Sequence, residues 1–230
     1  MPKKDLIPVI YEDDYVLAVN KPAGVPSVPD PKTKLPRTVM GMVQEKFKDK
    51  GFVPYLLHRL DVQTSGLLLF GKHEKDRKPL EAIFKSPDTH KKYLAILKGL
   101  PRGDKLEFPL AARESKTLVP AETLFKVIYT FDLFKQLCSI VEAEIRTGRR
   151  HQIRQHFARI NCPVILDSEY GDFKFNKKFR MTFQFGRQLL HSRSISFKHP
   201  ITGKTVEITA PLPPDLGSVL KKIFGKKILF

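Results

Sequence analysis

Between Ile7 and Asn20 the apolar and β-branched residues of VIYEDDYVLAVN flank an Asp-Asp pair, a pattern that predicts a short hairpin. The hairpin feeds a proline-rich loop, KPAGVPSVPDPKTKLP, that ends at Thr38. Thr38 is suited to cap a helix whose buried stripe, spaced by three and four, is Val39, Met42, Val43, the Lys46 stem and Phe47, with a stop near Gly51. In YLLHRLDVQTSGLLLFGK two apolar runs surround a polar centre containing glycine, which predicts two buried strands joined at an exposed turn. A helix near Arg77 to Lys85, interrupted or started by Pro79, leads to a strand in KYLAIL that ends at Gly99. LFKVIYTF and FKQLCSIVEAEI read as two more strands.

From Arg150 to Ile160 the period changes from two to about 3.6. Ile153, Phe157 and Ile160 then fall on one helical face, and His151, Arg154 and Gln155 on the other. The segment GDFKFNKKFRMTFQFGRQ mixes basic and aromatic residues with few acids, and its pattern assigns it no element. SISFKHPITGKTVEI predicts a terminal hairpin. In the last segment, DLGSVLKKIFGKKILF, a stripe of Leu216, Val219, Leu220, Ile223 and Phe224 opposes lysines; it suits a helix docked on the core better than one lying on a membrane. The chain is thus mixed α and β, without fixed-period repeats or low-complexity segments.

Charge changes the picture. Forty-one Lys and Arg against 24 Asp and Glu give a net +17 over 230 residues, spread along the chain, which points to a polyanionic partner and first of all to nucleic acid. An apolar fraction of 41% is enough for an ordinary core. Cys138 and Cys162 stand far apart with no CxxC, suggesting neither a disulfide framework nor a structural zinc site. No stretch reaches the roughly 18 apolar residues of a membrane span. A reducing, cytoplasmic setting is expected.

Candidate chemistry centres on HRLD, His58 to Asp61. On an extended chain an arginine and an acid two apart share a face, but in isolation such a pair is usually a surface ion pair. The following TSG supplies turn chemistry able to expose the carboxylate, between apolar runs that anchor it. His151 and His156, five apart on a helix, diverge by about 140° and do not form a zinc pair.

HRLDVQTSGLLLF, His58 to Phe70, closely resembles the HRLDxxTSGLLL motif of the RluA-type RNA pseudouridine synthases. Four further blocks resemble that family in its order: VNKPAGVP at Val19 to Pro26, KKYLAILKG at Lys91 to Gly99, RTGRRHQIRQH at Arg146 to His156, and LLHSRSISFKHPITGK at Leu189 to Lys204. The resemblance implies an α+β fold in which a long, mostly antiparallel sheet with flanking helices carries two lobes and a central active-site cleft. It also implies one catalytic domain over residues 1–230, without a separate S4 RNA-binding module because the match starts close to the amino terminus.

By that resemblance Asp61 is the nucleophile: the glycosidic bond of a uridine breaks, and the uracil rotates and rejoins the ribose through carbon. Arg154 is the arginine set against the aspartate, favouring its charged form by paired hydrogen bonds. Tyr93 is the tyrosine that packs on the base and is a candidate for proton transfer. Arg59 resembles the arginine that some relatives insert where the target base has left the stack. Asn20, Lys21 and Gly24 match a block lining the cleft, so Asn20 and Lys21 are candidate substrate-binding residues. Lys177, Lys178 and Arg180, interleaved with phenylalanines expected to act as anchors, are the candidate added grip on RNA.

An isomerisation carries nothing in and oxidises nothing, so neither metal nor cofactor is expected. The partner is RNA, ribosomal or transfer, rather than DNA or membrane, met by a monomer. The chain departs from the family pattern at LDSEYG, Leu166 to Gly171, where GDxxYG is usual, at Ser192 after His191, and at PSVP, Pro26 to Pro29. None of these is expected to touch Asp61, Tyr93 or Arg154. A non-catalytic RNA-binding or RNA-folding protein is the alternative; a metal-dependent nuclease is disfavoured by the lack of a compact acidic and histidine cluster.

Overall fold

A computed structural model describes residues 7–29, 37–112 and 117–225. The end of the proline-rich loop, residues 30–36, and the last five residues of the basic tail lie outside them. Along the chain the strands are β1 (Val9–Glu12), β2 (Val16–Lys21), β3 (Tyr55–Leu56), β4 (Ser65–Gly71), β5 (His90–Lys98), β6 (Lys105–Leu106), β7 (Leu110–Ala111), β8 (Leu118–Val119), β9 (Thr123–Leu133), β10 (Gln136–Ile145), β11 (Leu190–Lys198) and β12 (Thr205–Thr209). The helices are α1 (Val39–Phe47), α2 (Arg77–Ala82), α3 (Gln152–Arg159), α4 (Phe173–Phe183) and α5 (Pro214–Phe224). They fall into two compact units, residues 1–90 with 192–211 and residues 91–191 with 212–230.

The first unit is built on a sheet. β1 pairs antiparallel with β2 and β2 with β4, and β4 neighbours β11, which pairs antiparallel with β12. Its core packs Val16 and Ala18 of β2, Leu67 and Leu69 of β4, Leu80 and Ile83, and Ile195 and Phe197 of β11. The Thr38 hydroxyl caps α1 by accepting from the Gly41 N–H, so the cap and the stripe of Val39, Val43 and Phe47 lie where their spacing puts them. One glycine is fixed by crowding: Gly66 has φ +112°, and a Cβ there would lie 2.2 Å from the Ser192 carbonyl oxygen. The glycine of TSG therefore lets β4 and β11 approach.

The second unit has strand order β5-β10-β9-β6, in which β10 pairs antiparallel with β5 and β9, and β9 with β6. Its two faces are covered differently. Leu94 and Ile96 of β5, with Cys138 and Ile140 of β10, point into a core closed by Phe175, Phe179 and Phe183 of α4 and by Leu216, Val219 and Leu220 of α5. The last helix thus docks on the core, as its stripe suggested. On the opposite face stand Lys91 and Tyr93 of β5, register partners of Ile145 and Ala143, and then Thr123 and Phe125 of β9. That face receives α3: the Phe157 ring meets Phe125 edge-on at 5.4 Å, and the Gln152 amide donates to the Thr123 hydroxyl and the Glu122 carbonyl.

α4 is a helix that patterning left unassigned. The Asp172 side chain accepts from the Phe175 N–H and caps the helix, and Phe175, Phe179 and Phe183, four apart, form its buried stripe. Phe173 is the exception among the expected anchors, at 75% exposure.

Candidate active site

Asp61 sits in the first unit, half-buried, in the turn between β3 and β4. The turn closes on itself, with the Thr64 N–H donating to the Asp61 carbonyl at 3.1 Å. It is then held from outside by the loop after β2. The Lys21 ammonium, fully buried, donates to the carbonyls of Val62 at 3.0 Å, Thr64 at 2.8 Å and Pro22 at 2.9 Å. The Gly24 N–H also reaches the Val62 carbonyl, at 2.8 Å. Ser27 completes the clamp, its hydroxyl accepting from the Leu60 N–H at 3.1 Å and donating to the Leu60 carbonyl at 3.0 Å. Leu60 itself is buried, anchoring the turn one residue before the carboxylate.

Two expectations change here. Lys21 does not face a substrate: a lysine with no exposed surface, its ammonium spent on backbone carbonyls, supports the Asp61 turn instead. Asn20 is likewise tied to the scaffold, donating to the Pro211 carbonyl at 2.9 Å. Within HRLD the four residues divide their work. The His58 Nε2 accepts from the Leu69 N–H at 3.0 Å and its ring stacks against Phe84 at 4.8 Å, while Arg59 is exposed. Lys21→Met is expected to leave these carbonyls unsatisfied, at about 1–3 kcal/mol. The melting temperature should fall by roughly 2–4 °C for each kcal/mol. Turnover should drop more than RNA affinity; unchanged melting and turnover would show that the turn holds without the lysine.

Tyr93 and Arg154 belong to the second unit, which brings Tyr93 and the helix of Arg154 to the same sheet face. Arg154 is only 5% exposed, although its helical position opposes the Ile153 and Phe157 stripe. Its Nε and Nη2 form a two-pronged pair with the Asp167 carboxylate, at 2.5 and 3.0 Å, Nη2 lies 3.4 Å from Glu169, and the guanidinium lies over the Tyr170 ring at 5.1 Å. Asp167 also accepts from the N–H groups of Glu169 and Tyr170. Burial raises its pKa, but the Arg154 pair and these N–H groups more than offset that, leaving the carboxyl below its usual value. Burial and the Glu169 hydrogen bond push the Tyr170 phenol up to about 12.

LDSEYG therefore does touch Arg154, contrary to expectation, through Asp167, Glu169 and Tyr170. The departure itself falls on backbone geometry: Leu166, standing where the family usually has glycine, has φ +64°. A left-handed leucine costs about 1–2 kcal/mol, offset here because its side chain is 98% buried beside Phe175 and Phe179. Gln152 was also missed. It takes the Thr147 hydroxyl at 2.7 Å and the Arg149 N–H at 3.1 Å on its oxygen, and with its amide bonds to β9 it fixes where α3 starts.

Lys177, Lys178 and Arg180 lie on α4, which covers the sheet face opposite Tyr93. Lys177 and Lys178 are exposed, Arg180 is half-buried, and the Lys178 ammonium stands 4.5 Å from the Phe134 ring centre. Arg187, a few residues beyond α4, is buried in a two-pronged pair with Asp215 at 2.6 and 2.9 Å. Among the described residues no group of three or more His, Cys, Asp and Glu is arranged to hold a metal ion, and no helix is long and apolar enough to cross a membrane.

Comparison with known proteins bears on the family and the fold. A family model described as RNA pseudouridylate synthase matches residues 15–159. The chain is 31% identical to a tRNA pseudouridine synthase C of Salmonella typhi, over 97% of this chain and 92% of that one. It is 33% identical to a ribosomal large subunit pseudouridine synthase C of Buchnera aphidicola, over 91% and 69%. Two solved human structures share the fold. RNA Pseudouridylate Synthase Domain Containing 4 superposes with a TM-score of 0.75 at 19% identity, over 94% of this chain and 92% of that chain. Domain Containing 1 gives 0.71 at 22%, over 95% and 90%.

Proposed function

The chain belongs to the RNA pseudouridylate synthase family and is an RNA-modifying isomerase, and from that premise we propose that it converts uridine to pseudouridine in a structured stem-loop of ribosomal or transfer RNA, with Asp61 as nucleophile. The observation that carries the reading is the Asp61 turn, whose backbone is fixed by Lys21, Gly24 and Ser27 while the carboxylate stays half-buried rather than sealed. A nucleophile needs that combination of fixed direction, partial shelter and access. In this reading Arg154 pairs with the Asp61 carboxylate, Tyr93 packs on the uracil, and exposed Arg59 enters the gap left by the extruded nucleotide. Stem-loops suit such a site because side chains read unstacked bases far better than an A-form duplex. The protein acts as a cytoplasmic monomer on RNA, not DNA.

The test is a map of mass-neutral uridine modification across total RNA from cells with and without the protein. Loss of pseudouridine at one or a few stem-loop positions is expected, restored by the wild-type chain. No difference at any position would overturn the reading. A second expected result concerns α4. Alanine at Lys177, Lys178 and Arg180 together should weaken RNA binding and flatten its dependence on log salt by up to about three units, with turnover at saturating RNA near normal. An unchanged slope would show that these residues are ordinary solvated charge, consistent with a helix on the face opposite Tyr93.

A further inference from the structure

One buried cation of the second unit has no work in the reading so far. Lys91 is 92% buried, on β5, two residues before Tyr93. Alternation along the strand puts both on the same face, the one that receives α3, and Tyr93 is as deeply buried. Among the described residues the Lys91 side chain makes no hydrogen bond and no ion pair, and Glu144 is the one charge that acts on it. Its neighbour Lys92, on the opposite face, pairs with Glu142 at 3.0 Å. Burial lowers the Lys91 pKa from its ordinary value, with Glu144 acting weakly the other way. The Lys91 Nζ is not one of the fully buried atoms left without a partner, so a buried stem ends in an ammonium open to an incoming group, whereas the other deeply buried lysine, Lys21, is satisfied by three carbonyls. A lysine kept buried without such partners is placed for a group that arrives with the substrate.

We propose that Lys91 is a further catalytic residue, whose ammonium binds the negative charge that develops on the uracil while it is detached from the ribose. The inference rests on the reading above that Tyr93 packs on the target base. When the bond between C1′ and N1 breaks, its electron pair goes to the departing pyrimidine and spreads over N1, O2 and O4. The Asp61 carboxylate takes the place of N1 on C1′; after the ring turns, C5 bonds to C1′ as that carboxylate leaves with its bond pair, and the C5 proton then goes to a base, returning the C5–H pair to the ring. Lys91 keeps its proton throughout and donates a hydrogen bond to a uracil oxygen. Strand residues two apart are separated by about 6.5–7 Å, within reach of a four-carbon side chain directed at a base lying on Tyr93. A fixed cation in a site shielded from water acts most strongly where charge appears in the reaction rather than in the bound uridine, which is neutral.

The test compares Lys91→Met and Lys91→Arg with wild type on one pre-folded RNA substrate, alongside thermal melts. Lys91→Met should lower kcat by about 10²–10³-fold with KM within about threefold, because the interaction is made after binding. Lys91→Arg, which keeps a cation, should retain more activity than Lys91→Met. The rate that wild type loses as pH rises through the Lys91 pKa should persist to higher pH in the arginine variant, since a guanidinium does not deprotonate there. A normal kcat in Lys91→Met with a raised KM and a salt slope smaller by about one would overturn the proposal and make Lys91 a phosphate contact. If Lys91→Met fails to fold, Lys91→Arg decides: a folded arginine variant whose activity falls with pH as wild type does overturns it. Asp61→Asn run in parallel separates the two levels. Product from that variant defeats the underlying reading, whereas an inactive Asp61→Asn beside a fully active Lys91→Met defeats only the assignment of Lys91.

Discussion

Asp61→Asn is expected to abolish pseudouridine formation in single-turnover assays while RNA affinity stays within about tenfold of wild type. The amide is nearly isosteric with the carboxylate and cannot serve as a nucleophile. The substitution leaves in place the bonds by which Lys21, Gly24 and Ser27 hold the backbone of the turn, and the anchor of buried Leu60. The basic surface that meets RNA is untouched. Wild-type-like product from the purified variant would remove Asp61 from the mechanism and favour a protein that binds or folds RNA without modifying it. A large loss of affinity with a lowered melting temperature would instead show that the carboxylate builds the turn.

Some of this site was legible in the sequence because local pattern and tertiary role coincide there. The unbroken apolar run of KYLAIL and the stripe of Val39, Val43 and Phe47 report burial directly, since an apolar residue in such a pattern has little else to do. Polar residues carry no such label. Lys21 ends the buried strand VLAVN, yet nothing in its type distinguishes a lysine that meets phosphate from one that holds three carbonyls; only the fold brings Val62 and Thr64, more than forty residues on, to its ammonium. Arg154 carries no such label either. A helix arginine across from an apolar stripe reads as solvated, and its burial follows from a carboxylate thirteen residues later in a loop that seemed unrelated. α4 was hidden by its composition, in which the four-residue spacing of Phe175, Phe179 and Phe183 is overlaid by exposed Phe173 and by lysines on both sides.

The pairing of Arg154 with Asp167 supplies the second large effect. In the reading proposed here Arg154 directs the nucleophile, and a guanidinium does so only if its plane is fixed; Asp167 fixes it by occupying Nε and Nη2. Asp167→Asn removes the charge opposite a guanidinium that is 95% buried, so about 3–5 kcal/mol of stability should be lost. Turnover should fall with it, and Arg154→Lys should restore little, because an ammonium cannot make the forked contact. The pH dependence separates this from a simple packing defect. The Asp167 carboxyl titrates below its usual value of 3.8 in the folded chain, so the stability it contributes is fully present above that value and is lost as pH falls through the lower, folded one. Melting curves of wild type and Asp167→Asn should therefore lie furthest apart near neutral pH and converge as pH drops below about 4. A gap that stays constant down to about pH 2.5 would mean that the carboxylate's charge contributes nothing and that only its shape holds Arg154 in place.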